Sequence, residues 1–145
     1  MYIPISLDYF KSLVSAGMVT DITLGGLVLG QRHSNDGIKV IQFNGESFAI
    51  ICEIEGGEFV VNTYAEKEYH DRIIEINAFH GSDDTDITED ELSGVPVFNI
   101  PAGHFVLLRS LKLTVINRSA TRQFLHELTS INESTIHLFP PEVQK

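Results

Sequence analysis

The sequence predicts an α+β fold in which strands dominate, with about seven or eight short strands, mainly antiparallel, and three short helices. Two patterns support this prediction. Short alternating apolar runs are bounded by turns that contain glycine, proline or asparagine, and three other segments place apolar residues at helical intervals. At 145 residues the chain has the length of one domain, which buries roughly two-thirds of its unfolded surface.

The elements follow from local signals taken in chain order. A first helix is predicted to begin at Ser6, whose hydroxyl suits an N-cap, and to stop at Gly17. The clearest hairpin has Asn44-Gly45, a dipeptide typical of tight turns, between two apolar runs. A second helix is predicted to begin with Thr63 as its cap. The predicted strands span 19–29, 39–43, 47–54, 58–61, 96–100, 105–108 and 111–116, and the predicted helices span 6–16, 63–77 and 121–131.

An acidic segment divides the chain into three parts. Residues 1–80 are predicted to form a glycine-rich β-module with flanking helices, 81–94 an acidic loop, and 95–145 further strands and the C-terminal helix. Six carboxylates fall within nine residues of the loop: Asp83, Asp84, Asp86, Glu89, Asp90 and Glu91. Their spacing does not fit an EF-hand, so we interpret the segment as a loop that stays solvated or docks a basic partner. We expect the two flanking parts to pack as one domain, and we find no internal repeat.

Charge and hydropathy exclude several classes of protein. The formal net charge is -10, and a free-standing nucleic-acid binder needs cationic residues to displace counterions from phosphates. We therefore expect no direct contact with nucleic acid, and leave open only a local patch around Arg109, Lys112, Arg118 and Arg122. No apolar run approaches the roughly 20 residues that span a bilayer, so we expect no membrane span.

The sequence offers little for cofactor chemistry. A single cysteine, Cys52, excludes an internal disulfide and every multi-cysteine metal motif. None of the six histidines forms a close ligand pair, and neither a phosphate-cradling loop nor a Gly-x-Ser-x-Gly elbow is present. We therefore expect no cofactor, no metal and no catalytic residue.

The most informative segment is the glycine-rich stretch that begins at Gly25. Its candidate turn-forming and interface residues come in a fixed order: Gly25, Gly26, Gly30, His33, Gly37, Ile38, Gly56, Gly57, Glu58, Phe59, Val61 and Asn62. Glycine pairs permit positive φ angles and close backbone approach, as tight turns and bulges require. Glu58 follows such a pair, where its carboxylate is placed to accept backbone N–H groups or to pair with His33 or Arg32.

This pattern, with the helix that ends at Asn77, resembles a small glycine-rich module of bacteriophage virion proteins, among them tape-measure proteins. The resemblance covers 53 of the 145 residues. It implies a non-enzymatic structural or assembly protein that acts through protein–protein contacts and is located in the virion, or in the host cytoplasm during assembly. The implied partners are other virion proteins, in a homo-oligomer or a lattice with a coat protein. In this hypothesis Ile38, Phe59 and Val61 lie at the interface.

Two alternatives from other classes stay open. The first is a small processing enzyme that uses His33 with Glu58 or Glu55 as an acid–base pair. Self-cleavage would be sought at Asn62-Thr63, although a helix entry and cap explain these two residues better. The second is an acidic, host-facing binding or immunity protein whose charge neutralises a basic target.

Overall fold

The computed structural model describes residues 1–82 and 84–144, and it confirms a mixed α+β fold that is rich in strands. The described residues form nine strands and five α-helices, slightly more than the sequence predicts. The strands are β1 (Ile3–Ile5), β2 (Val19–Asp21), β3 (Gly26–Leu29), β4 (Ile38–Phe43), β5 (Phe48–Ile54), β6 (Glu58–Val61), β7 (Val97–Asn99), β8 (Phe105–Leu108) and β9 (Thr114–Ile116). The helices are α1 (Leu7–Ser15), α2 (Thr63–Glu68), α3 (His70–Asn77), α4 (Arg118–Gln123) and α5 (Leu125–Glu133).

The strands form two mixed sheets. One has five strands in the order β1-β5-β4-β8-β2, and the other has four in the order β7-β3-β6-β9. Four of the strand pairings are antiparallel and three are parallel. Strands from either side of the acidic loop pair directly, because β4 pairs with β8, β3 with β7 and β6 with β9. The two flanking parts therefore share both sheets.

The core has two apolar layers, one on each face of the four-stranded sheet. Leu27, Phe59 and Val61 pack with the helices, whereas Val28 and Val60 pack with the five-stranded sheet. Side chains alternate between the two faces of a strand, so neighbouring residues of β3 and β6 enter different layers. Because both faces of these strands are covered, residues 27–29 and 59–61 are all apolar.

Several local predictions are confirmed and others shift by a few residues. Ser6 caps α1, since its Oγ accepts the N–H of Tyr9 at 3.0 Å. The predicted strand 19–29 is interrupted by a turn in which the N–H of Gly25 donates to the carbonyl of Ile22 at 2.9 Å. Asn62, rather than Thr63, caps α2. The short edge strand β1 was not predicted at all, because three residues that include a proline carry little periodic signal.

Both long helical segments are broken in the same way. Tyr69 separates α2 from α3 with φ −113° and ψ 27°, and Phe124 separates α4 from α5 with φ −119° and ψ 25°. Each segment follows a strand and begins with an asparagine cap, Asn62 in the first and Asn117 in the second. The second segment therefore begins three residues before the predicted Thr121.

These two segments correct the expectation that the sequence has no internal repeat. The units β6-α2-α3 and β9-α4-α5 align without a gap at an offset of 55 residues. The matched positions are Val60 and Val115, Asn62 and Asn117, Ala65 and Ala120, Tyr69 and Phe124, Ile73 and Leu128, Ile76 and Ile131, and Asn77 and Asn132. Five of these seven pairs are identical, but the repeat is easily overlooked because most of the residues between them differ.

The hydrogen bonds between the two units are reciprocal. The Oδ1 of Asn132 accepts the backbone N–H of Asn62 at 2.9 Å, and the Oδ1 of Asn77 accepts that of Asn117 at 2.8 Å. Strands β6 and β9 pair antiparallel, with Val60 opposite Val115. The two units are thus related by a local pseudo-two-fold axis between β6 and β9.

Candidate functional site

Four of the six glycines in the predicted motif have positive φ angles, as the sequence analysis expects. Gly25, Gly26, Gly37 and Gly57 have φ angles of 80°, 147°, 58° and 94°. Side chains other than glycine rarely adopt these angles, so the sequence prediction of glycine-dependent turns is confirmed at these four positions.

The remaining two glycines bring the ends of two strands together. A Cβ atom on Gly56 would lie 2.1 Å from the carbonyl oxygen of Gly30, and a Cβ on Gly30 would lie 2.9 Å from the carbonyl oxygen of Ile100. The N–H of Gly56 donates to the carbonyl of Gln31 at 3.0 Å. Close backbone approach, rather than positive φ, is therefore the reason for glycine at positions 30 and 56.

His33 lies beside this contact but does not touch Glu58. Its Nδ1 is 2.6 Å from Oε2 of Glu53, and its Nε2 is 3.3 Å from Oε2 of Glu55. Glu58 instead accepts the backbone N–H of Glu55 at 2.8 Å, which is one of the two roles predicted for it. Of the two acid–base pairs considered from the sequence, the structure brings together His33 with Glu55 and leaves Glu58 out of contact with His33.

The charged neighbours of His33 favour its ion pair with Glu53. The hydrogen bond with Glu53 raises the pKa of His33, and Lys39, followed by His33, lowers the pKa of Glu53. Burial raises the pKa of Glu58 and that of the Cys52 thiol. A raised pKa favours the protonated form of His33, which is a poor general base, and the raised pKa of the half-buried Cys52 thiol makes it a poor nucleophile. No group of three or more His, Cys, Asp or Glu side chains among the described residues is arranged to hold a metal ion.

Carboxylates of the acidic loop contact arginines of the same chain, while most described residues of the loop are exposed to solvent, as predicted. Docking of a foreign basic partner stays a prediction. Asp84 contacts both Arg32 and Arg118, at 2.8 Å and 3.1 Å. Glu91 pairs with Arg122 at 2.8 Å. Asp83, which was counted in the predicted loop, lies outside the described residues.

Four predicted motif residues belong to the interior of the chain. Ile38, Phe59 and Val61 are each at most 2% exposed, so the expectation that they form an interface with another chain is wrong for the folded protein. Asn62 is 1% exposed and serves as the cap of α2. Phe59 and Val61 lie under the helices and Ile38 lies between the two sheets, a covering that a strand pattern alone does not reveal.

Exposed apolar side chains occur instead in a region that the sequence analysis did not single out. Six of the eleven exposed large apolar side chains among the described residues belong to the first 14 positions: Met1, Tyr2, Ile3, Leu7, Tyr9 and Val14. Phe10 of α1 stacks on Phe48, with ring centroids 4.0 Å apart, and Phe48 stacks on Phe43 at 4.7 Å. An aromatic row thus connects α1 to the end of the β4–β5 hairpin.

Phe43 separates two hollows in the surface. The first, of about 410 Å³, is also lined by Tyr64 and Leu111, and the second, of about 380 Å³, is also lined by Leu7 and Phe48. Leu111 is 79% exposed although it is apolar. We call this region the Phe43 surface, defined by Leu7, Phe10, Phe43, Phe48, Tyr64 and Leu111.

Comparisons with known proteins do not identify the chain. No protein-family model, curated protein or solved structure matches it. None of the described helices has the length and apolar character needed to cross a membrane. The functional conclusions therefore depend on the geometry above, and the resemblance to a virion module stays a prediction.

Proposed function

We propose that the chain is a non-enzymatic assembly protein that binds other protein chains through the Phe43 surface. The observation that carries the proposal is the pair of hollows that share Phe43 and are flanked by the exposed apolar side chains of Leu7 and Leu111. Contiguous exposed apolar surface of this kind marks protein interaction sites. Aromatic residues, enriched here, are also enriched at such interfaces.

A second copy of the chain is the partner that the surface suits best. Helix α1 carries Asp8 and Lys11, neither of which forms an ion pair with any described residue. Two α1 helices packed antiparallel about a two-fold axis place Asp8 of each copy near Lys11 of the other, which is the self-complementarity of an isologous dimer. Strand β1 lies at the edge of its sheet, beside this helix, and adds an unpaired edge to the same region.

The resemblance of the glycine-rich segment supports a virion as the setting. In that setting a self-associating protein of this size contributes to a lattice, with a coat protein or other virion proteins as further partners. The buried positions of Ile38, Phe59 and Val61 move the proposed contact from the glycine-rich segment to the Phe43 surface.

Substitution of Leu7 tests the proposal against a matched control. Leu7 and Ile74 are both exposed apolar residues on helices, at 52% and 57%, but only Leu7 belongs to the Phe43 surface. We expect native mass spectrometry to show uncleaved oligomers of the 16.2 kDa chain for wild type and for Ile74→Glu, and monomers for Leu7→Glu. Monomeric wild-type protein at all concentrations, or equal loss in both variants, would overturn self-association through this surface.

A second candidate, binding of a basic partner, is favoured by the charge distribution. Nine exposed carboxylates form no ion pair with described residues: Asp8, Asp36, Glu46, Glu68, Asp71, Glu89, Asp90, Glu133 and Glu142. The excess charge of -10 therefore lies largely on the surface, where it attracts a cationic partner in the manner of an immunity protein. Tight one-to-one binding to a basic protein, weakened by salt and unaffected by Leu7→Glu, would support this candidate over assembly.

A further inference from the structure

A cleft beside the glycine contact contains an arginine that the fold holds in place. The cleft has a volume of about 270 Å³ and is lined by Leu29, Gly30, Gly56, Gly57 and Arg118, with Asp86 and Ile87 of the acidic loop across it. Arg32 lies next to it and donates from Nε to Oε1 of Glu55 at 2.9 Å. We call the two guanidiniums and these glycines the Arg118 cleft.

The cationic side of the cleft is built from the folded core. The Arg118 side chain is only 13% exposed, and its Nη1 donates to the carbonyl oxygen of Gly56. A Cβ atom on Gly57 would lie 2.3 Å from that same Nη1, so the guanidinium would have to shift from its position if any side chain stood there. Gly56 and Gly57 thus help to position Arg118, which lies about sixty residues further along the chain.

The anionic side of the cleft comes from the surface and is far less enclosed. The Asp84 carboxylate bridges the two arginines, with Oδ2 2.8 Å from Nη2 of Arg32 and Oδ1 3.1 Å from Nε of Arg118. The side chains of Asp84 and Asp86 are 67% and 91% exposed. Exposed ion pairs contribute little to stability and are screened by salt. Carboxylates of another molecule can therefore replace those of Asp84 and Asp86 while the guanidiniums stay in position.

We propose that the Arg118 cleft is a binding site for the carboxylates of an acidic peptide segment of another protein, and that the acidic loop occupies this site in the free chain. Paired guanidiniums match the geometry of a carboxylate. A single negative charge suits the site better than a phosphate dianion, because Glu55 lies 3.6 Å from Arg118 and already offsets part of its charge. The site is separate from the Phe43 surface and does not depend on self-association.

Removal of the two internal carboxylates tests the proposal. The probe is a fluorescently labelled synthetic peptide with the sequence of residues 84–92, and binding is followed by fluorescence anisotropy at low salt. Asp84→Asn/Asp86→Asn, the opened variant, removes the two carboxylate charges that face Arg118 and leaves the backbone contact of residue 84 with Arg118. Glu89→Gln/Asp90→Asn, the control variant, removes the same charge from loop residues that form no ion pair with described residues. We expect the first variant to bind the peptide about fivefold more tightly than the second, as the loss of one or two exposed ion pairs implies.

Arginine substitution identifies the site of binding. In the Asp84→Asn/Asp86→Asn background, Arg118→Lys keeps the charge but loses the planar fork, and we expect it to remove the gain in affinity. Amide NMR spectra confirm that each variant is folded. Equal binding by the opened and control variants, or a gain in affinity that persists after Arg118→Lys, would overturn the proposal and leave the loop with a structural role only.

Discussion

Asn132 is hydrogen-bonded to Asn62 across 70 residues of sequence, and the contact is one half of a pseudo-symmetric pair. Its Oδ1 accepts the N–H of Asn62 at 2.9 Å, and its Nδ2 donates to the carbonyl of Val60 at 2.9 Å. Asn77 makes the equivalent bonds to Asn117 and Val115, at 2.8 Å and 3.2 Å. Each asparagine therefore fixes the position at which the opposite unit changes from strand to helix.

The two halves of this pair differ in burial, which predicts different costs of substitution. Asn132 is 4% exposed, whereas Asn77 is only half-buried. Asn132→Ala leaves a buried N–H and a buried carbonyl without partners, so we expect the free energy of unfolding to fall by about 2–4 kcal/mol. Asn77→Ala, where water can replace the lost bonds, is the matched control and should cost about 1 kcal/mol. Urea unfolding measures both, and equal costs would contradict the role assigned to burial.

Gly57 gives a second prediction, with Gly45 as its control. Both have positive φ angles, 94° and 101°, so alanine is strained at either position. Only at position 57 does the added Cβ meet another group, the guanidinium of Arg118 at 2.3 Å, while nothing lies within 4 Å at position 45. We expect Gly45→Ala to cost about 1 kcal/mol of unfolding free energy from backbone strain, and Gly57→Ala to cost clearly more. Equal unfolding temperatures for the two variants would contradict the conclusion that Gly57 makes room for Arg118.

Glu91 gives a prediction at acidic pH. Its hydrogen bond with Arg122, followed by one with the backbone N–H of Thr88, lowers the pKa of the carboxyl from 4.5 to about 2. A lowered pKa in the folded state means that the stabilisation is present above pH 4.5 and is lost as the pH falls towards 2. The stability difference between wild type and Glu91→Gln should therefore disappear over this interval. Glu89→Gln, at a loop carboxylate without an ion pair to described residues, should show no such dependence.

The sequence predicts those parts of the fold that depend on neighbouring residues. The Ser6 cap, the hairpin around Asn44-Gly45 and the positive φ angles of the motif glycines all follow from local chemistry. Each of these signals lies within a few residues of the feature that it specifies. The burial of Phe59 is different, because α4 and α5, about 60 residues further along the chain, join α2 and α3 in covering its face of the sheet.

The candidate sites are less predictable because distant segments create them. Nothing near Gly57 in the sequence indicates that Arg118 will occupy the space above it. The Phe43 surface likewise combines α1, the β4–β5 hairpin and the turn that holds Leu111. One available signal was missed, since the repeated order of valine, asparagine and alanine around Asn62 and Asn117 indicates the paired helical units.

His33 provides the prediction that separates a structural role from an enzymatic one. Its ring is 49% exposed and lies between Glu53 and Glu55, and the bond to Glu53 raises its pKa. A raised pKa in the folded state means that the stabilisation is complete below pH 6.5 and is lost as the pH rises through the folded-state pKa. The stability difference between wild type and His33→Ala should therefore be largest at mildly acidic pH and should vanish at alkaline pH.

The same variant distinguishes the functional hypotheses. If His33 only locks a turn, His33→Ala keeps the wild-type oligomeric state and the binding of partners, because the Phe43 surface is formed by other residues. If His33 and Glu55 form an acid–base pair, the wild type processes a substrate and His33→Ala does not. Glu55→Gln should also abolish processing, and it additionally removes the ion pair with Arg32. Intact mass spectra of the protein and of its co-expressed partners provide the comparison. Cleavage products that require both His33 and Glu55 would favour a processing enzyme over a non-enzymatic assembly protein.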